Sequence, residues 1–415
     1  MLDVVDDFPL LAAQRVDGQR FVYLDSAATT QKPACVIDAL ANWYRAGNAN
    51  PHRGVYHLAK NATDLFEASR KRVAEYIHGE TNEVVFLRNA TEALNFVATT
   101  YGRKVVGEGD EIVIPISEHH SNFLPWQRLA REQGARLVFL LPDANGRLSE
   151  EEIEQKIGPK TKIVACAQVG NVFGTELPLR MIADRAHKFG ATCVFDCTQG
   201  LLHSGVNVKD IAADFVALSA HKALGPLGVG VLWGRSCLLE SLEPPALGGE
   251  MVEVVGQRRA TYKDAPLRFE AGTQDGAAVY AFAIALDYLE AIGQASILEH
   301  ERVLTGRLLE GLAGFPQVKV YGNRELAADR RGIVSFNLNS VSPLRVAKEL
   351  DRRGIALRAG THCAQPLMVY LRTTASCRAS VCIYNSIDDI DFFLDALKSA
   401  FKGIALQNFQ QAIHR

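Results

Sequence analysis

The sequence predicts an α/β protein: a large domain with a mostly parallel seven-stranded sheet, then a smaller α/β C-terminal domain. Three observations carry this. Short apolar runs of strand length fall at 84–87, 112–116, 137–141, 163–167, 192–195, 215–218 and 229–233. Helical stretches at 91–100, 124–133, 149–157 and 179–189 separate the earlier ones, the alternation that builds a parallel sheet covered on both faces. At 415 residues the chain is long for one core, which suggests a large domain over 21–290 and a small domain from 1–20 and 291–415.

In order, residues 21–25 read as a short strand running into the small-residue turn Asp25-Ser-Ala-Ala-Thr-Thr30. The stretch 43–57 is rich in Asn, Gly, Pro and His and reads as an irregular loop. A helix is expected over 63–77, where Leu65, Phe66, Val73, Tyr76 and Ile77 share one face and Gly79 stops it. After the seven runs, 248–274 reads as a loop region and 276–291 as a long helix leaving the sheet. The remainder, about 297–405, mixes helices with short strands such as 333–338.

Composition removes several function classes. The chain is 48% hydrophobic and 22% charged with a formal net charge of −2, which gives no reason to expect nucleic acid or an anionic membrane as partner. The acidic start MLDVVDDFPL lacks a signal-peptide pattern, and no run approaches the ~18 apolar residues of a membrane span. Eight scattered cysteines without a CxxC indicate neither a disulfide framework nor a zinc site, and a reducing cytoplasm is the expected setting.

Polar residues then collect at the strand ends, where ligands bind in such sheets. The run 215–218 stops at Ser219-Ala-His221-Lys222, followed by a Gly/Pro-rich turn. Burial pushes a lysine pKa down and makes its amine a nucleophile for carbonyls, as a Schiff-base lysine for pyridoxal phosphate (PLP) requires. A lysine there is also a common solvated strand end, so its partners decide. Asp196 ends the run ATCVFD 26 residues earlier, where an anionic carboxylate suits a protonated pyridine nitrogen and equally suits a helix cap. Asn89-Ala-Thr91 opens a helix and offers donors for a phosphate or a plain N-cap. His119-His120 follows the run ending at Ile116, where an imidazole can lie on a cofactor ring and move protons. Late in the chain, Arg358-Ala-Gly-Thr-His-Cys363 puts a thiol beside an imidazole and an arginine in a loop, a setting that favours thiolate. Arg378 is placed to grip a carboxylate or to join a domain-interface ion pair, while Cys377 and Cys382 read as packing residues.

Ten stretches between Leu24 and Asn385 carry a resemblance: LDSAATTQKP, HRGVYHLA, RNATEALN, EHHSNFLPWQ, NVFGTELPL, FDCTQG, SAHKALGPLGVGVLWG, RFEAGT, RAGTHCAQP and CRASVCIYN. In this order they resemble group II cysteine desulfurases, the sulfur-mobilisation and cysteine-sulfinate-desulfinase type. These are fold-type-I PLP-dependent transferases of the class V aminotransferase superfamily. The resemblance implies that Lys222 carries PLP, Asp196 pairs with its ring nitrogen, Gln199 meets the ring hydroxyl and His119 stacks on the ring. It implies a phosphate site of Thr91, Ser219 and His221, with Thr273 supplied by the second subunit of a homodimer. Asn171 and Arg378 are implied to hold the substrate carboxylate, Arg358 to be a pocket arginine, and Cys363 to accept the sulfur. The implied reaction converts L-cysteine to L-alanine through a Cys363 persulfide that passes to an acceptor protein, as in iron–sulfur cluster assembly.

Selenocysteine or cysteine sulfinate are alternative substrates within the same chemistry. An epimerase or kynureninase-like lyase lacks the cysteine loop, and a silent sulfur-carrier scaffold has no use for a buried Lys222/Asp196 pair. Thr361, Cys197 and Gly170 depart from the common pattern near the expected pocket, and the GGE loop is one residue short.

Overall fold

The computed structural model describes residues 1–13, 15–16, 19–325 and 328–413. Its large sheet contains all seven expected strands: β1 (Val84–Leu87), β2 (Glu111–Pro115), β3 (Arg136–Leu140), β4 (Thr161–Ala167), β5 (Thr192–Asp196), β6 (Phe215–Ser219) and β7 (Gly230–Gly234). Their spatial order is β1-β7-β6-β5-β4-β2-β3. Six run parallel, and β7 is antiparallel to both β1 and β6.

Both faces are buried, which is why the strands read as continuous apolar runs. Alternate residues enter two different cores. Val113, Val164, Cys166, Phe195, Val216 and Val231 face one; Ile112, Ile163, Ala165, Val194, Ala217 and Leu232 face the other. The flanking helices begin at side-chain caps: Asn89 accepts from the Glu92 N–H at Ala90–Val97, and Asp275 accepts from the Ala278 N–H at Gly276–Ile292.

The C-terminal body is a four-stranded antiparallel sheet in the order Val318–Tyr321, Ile333–Leu338, Ser376–Ser380, Arg358–Gly360. Helices Gln294–Ala313, Pro343–Asp351 and Ile387–Ile413 accompany it. Among the described residues no single helix is long and apolar enough to cross a membrane.

Two expectations need correction. The strand placed at 21–25 in the large domain forms at Val22–Tyr23, but it pairs with Ile355–Ala356. Val22 and Leu24 pack in the C-terminal core beside Val334, Phe336 and Phe393. The 248–274 loop contains a short hairpin, Val252–Val255 with Ala260–Tyr262. Three of the first strand's four residues are exposed, so no burial pattern marked it.

Candidate active site

The carboxyl ends of β1, β2, β4, β5 and β6 converge on a cavity of about 510 Å³, closed on its far side by the loop at 358–363. Lys222 sits in a tight turn, Ala220–Lys222, directly after β6. Burial pushes its pKa down to about 8, Asp196 opposes the shift, and Arg378 adds to it. At pH 7 about one-tenth of the amine is therefore free, far more than at an ordinary lysine. Asp196, at the end of β5, lines the same cavity, and its Oδ1 accepts from the Thr198 N–H at 3.0 Å.

Thr91 is not the helix cap. Asn89 holds that position, which leaves the Thr91 hydroxyl facing the cavity, 2.7 Å from Ser121 Oγ. Ser219 Oγ accepts from the Ala90 N–H at 2.9 Å and fastens this helix start to the end of β6. Gly230 permits that contact, since a Cβ there would lie 2.3 Å from Asn89 Cα.

The histidine pair divides its work. His119 lines the cavity, and its Nδ1 accepts from the Ser121 N–H at 3.1 Å, which leaves the ring proton on Nε2. Burial and the nearby Lys222 lower its pKa to about 3, so the ring is neutral. His120 instead binds the cysteine loop. Its N–H donates to the Cys363 carbonyl at 2.7 Å, and its Nε2 accepts from the Gln365 N–H at 3.1 Å.

Cys363 is exposed at the cavity wall. His362 and Cys363 both adopt left-handed backbone, with φ of 53° and 55°. For non-glycine residues each costs on the order of 1–3 kcal/mol, which the surroundings must offset. Asn171 Nδ2 donates to the His362 carbonyl at 2.7 Å, and His362 Nε2 lies 2.9 Å from Ser376 Oγ. Arg378 is almost fully buried; it donates to the Asn171 carbonyl at 3.1 Å and to Asp25 Oδ1 at 3.3 Å. Arg358 donates to the same carboxylate at 3.0 Å.

Every expected site residue lines this one cavity except Thr273: Thr91, His119, Asn171, Asp196, Gln199, Ser219, His221, Lys222, Arg358, Cys363 and Arg378 all do. Thr273 is exposed and borders a different cavity with Phe86, Arg88 and Phe269. Thr361 lines the site. Cys197 points into the core, fully buried, and Gly170 is not among the lining residues.

Sequence reasoning missed two residues. Asp25 joins Arg358 to Arg378. Lys32 donates to the His221 carbonyl at 2.9 Å, where Thr29 Oγ1, Thr30 Oγ1 and the Thr30 N–H also donate. Four donors thus fix the peptide that precedes Lys222. A charge on each side of a small-residue turn in LDSAATTQKP was the available signal.

Four buried polar atoms on the cavity wall lack a partner among the described residues: Thr198 Oγ1, His221 Nδ1, His362 Nδ1 and Arg378 Nε. Buried polar groups are normally paired, so this wall is built for a polar occupant.

The family model for aminotransferase class-V matches residues 22–393. The chain belongs to the class-V aminotransferase family. Within this family, a protein of Halalkalibacterium halodurans named a probable cysteine desulfurase is 45% identical over 392 residues, covering 94% of this chain and 95% of the relative. The apo cysteine desulfurase of Thermococcus onnurineus superimposes with a TM-score of 0.92 at 38% identity, covering 96% of this chain and 98% of that one. The Escherichia coli cysteine desulfurase CsdA, solved as its S-sulfonic acid form, gives 0.87 at 35% identity, covering 96% and 97%. The class-V family and its mostly parallel α/β architecture, both expected from the sequence, are therefore established.

Proposed function

We propose that this class-V enzyme is a PLP-dependent L-cysteine desulfurase of the group II type, passing sulfur through Cys363 to an acceptor. The observation that carries the reading is one cavity holding both a depressed-pKa lysine and an exposed cysteine on a pinned loop. The donor set fits the cofactor. Thr91, Ser219, His221 and the helix start at Ala90 suit its phosphate, Asp196 and Gln199 its ring, and Lys222 its carbonyl carbon. The unpartnered Thr198 Oγ1 and His221 Nδ1 are two of the sites it would satisfy.

When bound, the cofactor supplies an electron sink conjugated to the substrate α-carbon. Arg378 and Asn171, which line the cavity side by side, orient the substrate carboxylate. Lys222, with its pKa near 8, takes and returns a proton at the α-carbon near neutral pH. His119, uncharged and lining the cavity, would lie against the bound ring without competing for that proton. Cys363 Sγ forms a bond to the substrate sulfur as the carbon–sulfur bond breaks, leaving a persulfide and alanine. A thiol acceptor then removes the sulfur by exchange. All eight cysteines are free, which suits a reducing, cytoplasmic setting. The same reading takes the enzyme as a homodimer, with Thr273, which lies outside this chain's own cavity, serving the partner's phosphate site.

The test is alanine and sulfide release from L-cysteine with a thiol reductant. Equimolar products support the reading, and a PLP-loaded protein that forms neither overturns it. The same assay checks the clamp on the peptide before Lys222. Lys32→Met is expected to lower kcat about tenfold with KM little changed, because small misplacements of a reacting group are expensive. Lys32→Arg should recover part of the loss, and an unchanged kcat in Lys32→Met would remove the clamp from catalysis.

A further inference from the structure

Strands β2 and β4 pair at their starts and part before their ends. Glu111 pairs with Thr161 and Ile112 with Ile163, and the last pair is Val113 with Val164. Ala167, at the end of β4, pairs with Asp196 of β5 on its other side and lines the cavity. Its N–H donates across the gap to Glu118 Oε1 at 2.7 Å.

The second oxygen of Glu118 is taken as well. Asn122 Nδ2 donates to Glu118 Oε2 at 2.7 Å, and Trp126 Nε1 donates to Asn122 Oδ1 at 2.9 Å. An indole N–H can only donate. It therefore fixes the Asn122 amide with its oxygen on Trp126 and its NH2 on Glu118. Position 118 must then accept from both neighbours, which a carboxyl group can do and an amide cannot. The Asn122 N–H meanwhile donates to the His119 carbonyl at 2.8 Å and closes a ring of bonds beside His119.

Glu118, Asn122 and Trp126 are all buried, at 1% exposure or less. The partners of Glu118 are amides, not cations. Burial, with Asp196 adding to it, raises the carboxyl pKa to about 8 against the pull of the two N–H donors. A carboxyl group without a counter-charge is costly to bury. Packing alone gives no reason to keep one here.

We propose that Glu118 is a positioning residue for the desulfurase site: by taking one donor from the Asp196 side and one from the His119 side, it sets the spacing between these two groups. Asp196 meets the ring nitrogen of the cofactor and His119 its face, so the inference rests on the PLP-dependent desulfurase reading of the cavity.

The experiment compares PLP-loaded wild type, Glu118→Gln and the double variant Glu118→Gln/Asn122→Asp. In the single variant an NH2 group faces either the Asn122 NH2 or the Ala167 N–H. In the double variant the carboxylate moves to position 122, and every donor in the chain from Trp126 to Ala167 again has an acceptor. The readouts are kcat and KM for alanine release from L-cysteine, and the visible circular dichroism of the bound cofactor, which reports how its ring is held. Glu118→Gln is expected to lower kcat about ten- to thirtyfold with KM within about twofold, and to change the dichroism. The double variant should return to within about threefold of wild type in kcat and restore the dichroic band. A lower unfolding temperature in Glu118→Gln with kcat and dichroism unchanged makes the residue purely structural and overturns the proposal. A double variant no better than the single one overturns it too. Should Glu118→Gln fail to fold, Asn122→Ala, which leaves the Ala167 bond in place, decides on the same readouts. A loss in kcat of about threefold or more with altered dichroism supports the proposal, and no change in either overturns it. Wild type that makes no alanine from L-cysteine defeats the desulfurase reading, while the dichroism of the bound cofactor still tests Glu118.

Discussion

Cys363→Ala is expected to lower alanine and sulfide release from L-cysteine at least about 10³-fold, while the PLP-loaded protein keeps its absorbance. No other thiol can replace it. Cys166, Cys193, Cys197, Cys377 and Cys382 are buried, and burial raises the pKa of every one of them. Cys35 and Cys237 are exposed but do not line the cavity. Position matters as much as chemistry, because the left-handed backbone at His362 and Cys363 is held by His120, Asn171 and Ser376. Cysteine sulfinate sets the discriminating comparison: its sulfur leaves as a stable oxide and needs no thiol acceptor. Its turnover should survive the substitution within about tenfold. Full cysteine activity in the variant would sink the persulfide route. Loss of both activities would mean that Cys363 also shapes the pocket.

The parts of this site that were legible share a property: each sits at the end of an apolar run whose burial is visible in the residues themselves. Lys222, Asp196 and Thr91 could be placed because β6, β5 and β1 are buried on both faces and read as uninterrupted runs. Strand order could not be read the same way. An antiparallel β7 inserted between β1 and β6 carries the same apolar signature as its parallel neighbours. The segment at 21–25 reads as a strand, but its partner, Ile355–Ala356, lies over 330 residues away and leaves no local trace. Asp25 and Lys32 escaped for the same reason. Their meaning comes from Arg358, Arg378 and the His221 carbonyl, which only the folded chain brings to them. Local pattern thus reports burial well and long-range polar pairing poorly.

Lys222→Met is expected to abolish turnover, by about 10³-fold or more, and at the same time to stabilise the PLP-free protein at pH 7. Borohydride reduction should no longer fix the cofactor to the chain. The stability gain follows from proton linkage. The amine titrates at about 8 in the folded chain against 10.5 when unfolded, so between those values the unfolded state binds more protons. Stability therefore rises with pH across that window, and below it the whole cost of burying the ammonium is present. A shift of this size corresponds to about 3 kcal/mol. The attraction of Asp196 is already contained in that shift, so a gain of up to about 3 kcal/mol is expected. Urea unfolding of the two PLP-free proteins at pH 7 measures the gain, and repeating it up to pH 10.5 should bring the curves together. Lys32, also lowered to about 8, has the same sign in both proteins and cancels in the difference. A variant less stable than wild type at pH 7 would mean that Asp196 depends on Lys222 more than Lys222 is penalised by burial. The lysine would then be a structural ion-pair partner first. The opposite result makes it a group held at a cost to the fold, which is how burial brings the pKa of a nucleophilic amine down toward neutrality.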